Sequence, residues 1–265
     1  MSIIDKLNAR IDAVNSLLCV GLDSNIDRLP DEFQVQMHPQ FEFNRAIIEL
    51  THEYVCAYKP NIAFYEARGE KGLHDLRLTM DYLQAEHPDI VTICDAKRGD
   101  IGSTSAAYAT AIFDDLGFDM VTLQPYLGKD AIQPFLDYAD KGCIILCRTS
   151  NAGARDFQDL EVDGEPLWKV VAGSVCQDWN EHDNCMLVVG ATYPQEMQII
   201  RNLVGEMTLL VPGIGVQGGN VEQTVTAGKN SAGRGLIINS SRGIIFSEDP
   251  ARAAQELRDG INEYR

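Results

Sequence analysis

Eight short apolar runs recur along the chain and limit what it can fold into more than any other feature. They occupy a short stretch ending at Lys59-Pro60-Asn61 and residues 17–22, 90–94, 120–125, 143–148, 185–190, 208–212 and 235–239. Each is apolar, mostly rich in β-branched residues, and without polar alternation, as expected of strands buried on both faces. Between them lie stretches with helical periodicity. Residues 1–15 place Ile4, Leu7, Ile11 and Val14 on one stripe, and further helices are expected near 42–55, 72–85, 103–115 and 250–264. Strands that return roughly every 25 to 40 residues with helices between them predict an α/β fold with a parallel sheet. Eight such units in a chain of 265 residues predict a single-domain (β/α)8 TIM barrel spanning residues 1–265. An open doubly wound sheet is the alternative, but no dinucleotide-binding glycine fingerprint follows the first run. The polar stretch 151–165 is long enough to form a flap.

Composition narrows the partners. A formal net charge of −17 disfavours nucleic acid and anionic membranes, whose phosphates would be repelled. An anionic small substrate then needs a locally positive pocket. No apolar run reaches membrane-spanning length, and the first six residues carry Asp5 and no long apolar stretch, so no signal peptide is expected. The seven cysteines are an odd, scattered set, several of them (Cys19, Cys94, Cys143, Cys185) inside strand-like runs. Reduced, buried thiols in a cytoplasmic protein are expected rather than a disulfide framework. The five histidines form no H-x-x-x-H or H-x-H pair, and Cys143 with Cys147 makes no convincing zinc site, so no metal is expected.

In a barrel of this kind chemistry gathers at the C-terminal ends of the strands. The third run ends in Asp95-Ala96-Lys97-Arg98-Gly99-Asp100-Ile101. Side chains two apart on a strand share a face, so Asp95 and Lys97 are expected to point the same way, with Asp100 beyond the strand near the next helix. Three charges beside an apolar core are costly unless they pair. An isolated D-x-K-x-x-D reads equally well as a structural ion pair that orders a strand-to-helix turn. Other strand ends add Asp23, Lys59, Ser150, Gln217 and Arg242, and their joint placement at one end of the barrel favours a site.

After the seventh run comes Pro212-Gly213-Ile214-Gly215-Val216-Gln217-Gly218-Gly219. Glycines let backbone N–H groups approach a ligand closely. No Gly-Lys-Ser/Thr ends the run, so it is not a Walker A loop. Loops seven and eight form the usual phosphate site of this barrel, and Arg242 follows the eighth run. The residues thus imply an enzyme acting on a phosphorylated small molecule, with a lysine held between carboxylates. Opposite charges nearby favour the protonated amine, which suits a cation that stabilises a carbanion and then protonates it, rather than a Schiff-base lysine.

Asp95-Ala96-Lys97-Arg98-Gly99-Asp100-Ile101-Gly102-Ser103-Thr104 resembles the signature of the orotidine 5′-phosphate decarboxylase family. Val20–Asp23, Tyr58–Asn61, Arg148–Asn151, Val211–Gly215 with Gln217–Gly219, and Ser241–Ile244 resemble family segments in the same order. Length and loop wording look most like the longer bacterial and archaeal subgroup, from which Ser103 (usually Asn) and Ala152 (usually Pro) depart. The resemblance implies decarboxylation of orotidine 5′-phosphate to UMP and CO2, the last step of UMP biosynthesis, with no metal, flavin or nicotinamide cofactor. It implies that Lys97 protonates C6 and that Lys59, Asp95 and Lys97 form an alternating charge chain completed by Asp100 of a second subunit. It further implies Asp23 as a ribose-hydroxyl ligand, Thr104 as a cross-subunit contact, and Ser150 at the pyrimidine amide. Pro212, Gln217 and Gly218 would line the base and phosphate, Arg242 would anchor the phosphate, and the protein would be a homodimer with shared active sites. Two other readings remain: a Mg²⁺-dependent sugar-phosphate decarboxylase or aldolase on the same barrel, and a non-catalytic phosphate-ligand sensor.

Overall fold

The computed structural model describes residues 2–214 and 220–265. Eight parallel strands close into a barrel: β1 Leu18–Leu22, β2 Ala57–Pro60, β3 Val91–Arg98, β4 Met120–Leu123, β5 Gly142–Arg148, β6 Cys185–Val189, β7 Leu209–Pro212 and β8 Leu236–Ser240. Each strand pairs with the next in sequence, and β1 pairs with β8 through Leu18–Ile238 and Val20–Ser240. The strands are almost wholly buried, because their inner faces fill the barrel and their outer faces pack under helices. This is why they read as unbroken apolar runs. Six of the seven cysteines, including Cys19, Cys94, Cys143 and Cys185, are buried in this core, and all seven are free thiols.

The helices begin where local chemistry favours it. Ser2 accepts from the Asp5 N–H at 3.1 Å while Asp5 accepts from the Ser2 N–H, a reciprocal cap that stabilises the start of Ile3–Val14 by about 1 kcal/mol. Proline opens the helices Pro39–Thr51, Pro194–Val204 and Pro250–Asn262, where its missing N–H is no loss. The first helix buries Ile3, Leu7 and Ile11. Lys6 binds Asp119, Arg10 binds Asp89, and Arg10 Nε donates to the Val55 carbonyl. Asp119, Asp89 and Val55 precede β4, β3 and β2, so this helix closes the N-terminal mouth of the barrel.

Some expectations are refined. The helix expected over 103–115 is an α-helix from Gly102 to Thr110 that widens into a π-helical turn, Ala111–Asp115. The stretch 151–165 is ordered locally. It holds a 3-10 turn, Ala152–Asp156, and the start of a small hairpin that pairs Glu161–Val162 with Glu165–Pro166. Asp163 and Gly164 both take positive φ at its turn, the conformation that an Asp-Gly pair favours. Arg148 on β5 reaches this segment through Asp159 at 2.8 Å.

Candidate active site

Charge gathers at the C-terminal end of β3. Lys59, at the end of β2, is only 4% exposed, and its Nζ lies 2.8 Å from Asp95 Oδ2. The Lys97 Nζ lies 2.6 Å from the other oxygen, Oδ1, which also accepts from the Thr122 hydroxyl at 2.9 Å. One carboxylate is thus gripped by two ammonium groups and a hydroxyl. Burial by itself would push the Asp95 carboxyl up. The charges of Lys59 and Lys97, with their hydrogen bonds, outweigh it and hold the carboxyl well below the usual carboxylate range. Burial likewise works against the Lys59 ammonium, yet Asp95 and Asp23 raise it above an ordinary lysine.

Asp95 and Lys97 do meet as expected, but not by simple alternation. The β3–β4 register jumps from Cys94–Val121 to Arg98–Leu123, so four residues of β3 span two of β4. Lys97 adopts φ +49°, a left-handed conformation costing a non-glycine residue about 1–2 kcal/mol. The irregular strand, rather than a regular pleat, brings the lysine back over the carboxylate. Gly99 follows at a close approach to β4, where a Cβ would sit 2.8 Å from the Gln124 carbonyl oxygen.

A cavity opens at this end of the barrel, lined by Asp23, Lys59, Asp95, Pro212, Ser241 and Arg242 among others. Five of these six are expected site residues. Asp23 Oδ1 is shut from solvent and lacks a hydrogen-bond partner among the described residues. Arg242 starts the four-residue helix Arg242–Ile245. Among the described residues it has no salt bridge and no side-chain hydrogen bond, so its guanidinium is available to an anion. Gly21 on β1 is needed here, because a Cβ at that position would collide with Ser241 Oγ at 1.9 Å.

The remaining expected residues are distributed differently. Asp100 precedes the Gly102 helix and accepts from the Ile101 N–H at 2.7 Å. Among the described residues it makes no ion pair with either lysine. Thr104 sits exposed in the first turn of that helix. Ser150 follows β5 and packs against Gly190 after β6. Gln217 and Gly218 lie outside the described residues. Thr122, Asn239 and Ser241 were not anticipated. Asn239 and Ser240 read only as the end of a strand, Ser241 enters only as part of a segment that resembles the family, and a threonine in an apolar strand carries no signal of its own.

Known proteins resemble this chain along its whole length. The family model described as "Orotidine 5′-phosphate decarboxylase / HUMPS family" matches residues 16–257. A relative from Cellvibrio japonicus (strain Ueda107), named orotidine 5′-phosphate decarboxylase, is 50% identical, with all of both chains covered. One of the same name from Azoarcus sp. (strain BH72) is 48% identical, again over both full chains. The solved structure of Leishmania donovani OMP decarboxylase superposes with a TM-score of 0.89 at 40% identity, covering 100% of this chain and 98% of that one.

Proposed function

This chain belongs to the orotidine 5′-phosphate decarboxylase / HUMPS family, and from that premise we propose how its residues act. The protein decarboxylates orotidine 5′-phosphate to UMP and CO2 in pyrimidine biosynthesis. In our reading residues 1–265 work as one barrel domain in the cytoplasm, and no helix among the described residues is long and apolar enough to cross a membrane.

The observation that carries the mechanism is the Asp95 carboxylate held between Lys59 and Lys97, with Lys59 and Asp95 lining the cavity. When the bond from C6 to its carboxylate breaks, the electron pair stays on C6, in the plane of the ring, where π delocalisation helps little. The Lys97 ammonium, fixed in place before the reaction, stabilises that pair and then delivers one N–H proton to C6. The neutral amine regains its proton from solvent after UMP leaves. Asp95 pairs with both lysines and orients them. The Asp23 oxygen, without a hydrogen-bond partner among the described residues, supports a role as acceptor of a ribose hydroxyl, and the Arg242 guanidinium, likewise unpaired among them, supports a role in gripping the phosphate. Pro212, Ser150, Gln217 and Gly218 complete the pocket in this reading. It assigns no step to a metal or cofactor.

The same reading makes the protein a homodimer. Asp100 leaves its own chain's lysines unpaired with it, and apolar side chains are exposed nearby at Ile101 (63%) and across the rim at Tyr126 (81%) and Phe157 (60%). A second copy seated on that rim would cover them and bring Asp100 and Thr104 to its neighbour's pocket.

The test is an ultraviolet assay of orotidine phosphate disappearance with and without EDTA. Equal conversion to UMP in both is expected. Loss of activity with chelator would instead favour the metal-dependent enediolate chemistry of other barrels.

A further inference from the structure

We infer that Thr122 on β4 is a positioning residue that sets the reactive geometry of Lys97. The inference rests on the catalytic reading of Lys97 given above.

Thr122 is 1% exposed and faces the β3 irregularity. Its Oγ1 accepts the backbone N–H of Lys97 at 3.0 Å and donates to Asp95 Oδ1 at 2.9 Å. The single hydroxyl therefore ties both ends of the Lys97 residue: its backbone directly, and its ammonium through the carboxylate oxygen that both share. Where the ladder between β3 and β4 lapses, this side chain takes the N–H that a neighbouring strand's carbonyl would ordinarily take. Lys97 stands there at φ +49°, a conformation that surrounding structure must hold against its own preference. On the far side of the irregularity the ladder resumes, with the Gln124 N–H donating to the Arg98 carbonyl at 2.8 Å. Thr122 is the only described side chain that hydrogen-bonds both to Lys97 and to Asp95.

A hydroxyl is required because one atom must accept and donate at once. Valine has the same shape and does neither. Serine does both. Loss of the tether frees the Lys97 backbone to relax and swings Asp95 Oδ1, so the ammonium departs from C6. Displacements of about 1 Å at a reacting group cost on the order of 10²-fold in rate. Substrate binding through Asp23 and Arg242 lies on other strands and is left alone.

The experiment compares wild type, Thr122→Val and Thr122→Ser for kcat and KM on orotidine phosphate and for UMP affinity by titration. The expected result is a fall in kcat on the order of 10²-fold for Thr122→Val, with KM and UMP affinity held within about threefold and kcat for Thr122→Ser restored to within about threefold of wild type. If Thr122→Val does not fold, Thr122→Ala takes its place with the same expected results. A valine or alanine variant at wild-type kcat, or a serine variant as slow as valine, overturns the inference. Such results in an active wild-type background leave the family-level activity standing. A wild type that releases no CO2 would overturn both.

Discussion

Lys59 and Asp95 meet at 2.8 Å with side chains only 5% and 11% exposed, an ion pair set almost entirely in protein. Taking two charges out of water is costly, and removing one partner of such a pair strands the other. The two halves are not equivalent, however. Asp95 keeps Lys97 and Thr122 if Lys59 is removed, whereas removing Asp95 takes the hydrogen-bonded carboxylate from both lysines and leaves Lys59 only the charge of Asp23. Urea unfolding should therefore show Asp95→Ala destabilised by about 3–5 kcal/mol and Lys59→Met by distinctly less. Equal losses would mean that the two lysines do not share the carboxylate as described.

Much of this is legible in the sequence itself. The strands expected at 17–22 and 143–148 appear as Leu18–Leu22 and Gly142–Arg148, because a parallel strand under helices must be apolar on both faces. Asp23, Lys59, Asp95, Pro212 and Arg242 were legible because strand ends in a closed barrel converge whatever their separation in sequence. The left-handed Lys97 was not, since it arises from a register jump against β4 that no local pattern encodes. The hairpin around Asp163-Gly164 carried a turn signal, but its strands of two residues each were too short to show alternation. In the proposed dimer Asp100 and Thr104 act from a second copy of the chain, and within its own chain Asp100 makes no ion pair with either lysine among the described residues.

Stability should follow acid titration in a defined direction. The folded Asp95 carboxyl lies below its unfolded value of about 3.9. Its contribution is fully present above that value and is lost as pH falls toward the folded one. Lys59 is raised in the folded state, so its contribution is present below about 10.4 and is lost only in strong alkali. Unfolding free energies of wild type and Asp95→Asn should therefore differ by a constant amount from about pH 6 to 9, and the gap should begin to narrow as pH drops below about 4. A gap that persists unchanged at pH 3 would contradict the pairing.

Arg242→Ala should raise KM by about 100-fold or more while kcat falls much less, because the proposed role of the guanidinium is confined to the phosphate. Initial rates across substrate concentration decide this. An unchanged KM would show that other groups hold the phosphate.

The proposed sharing of active sites makes a specific demand on mixed dimers. Lys97→Ala and Asp100→Ala homodimers should each be nearly inactive. In a heterodimer of the two, one pocket carries both lesions and the other carries none. Mixing equal amounts, with time for subunits to exchange, should recover about a quarter of wild-type activity. No recovery under demonstrated exchange would place Asp100 in its own chain's pocket or outside the chemistry.

The most direct test is Lys97→Ala, assayed for orotidine phosphate turnover and titrated with UMP in the same preparation. If the Lys97 ammonium stabilises and protonates C6, kcat should fall by about 10⁴-fold or more while UMP affinity stays within about tenfold of wild type. Turnover within tenfold of wild type by a folded, UMP-binding variant would contradict the account.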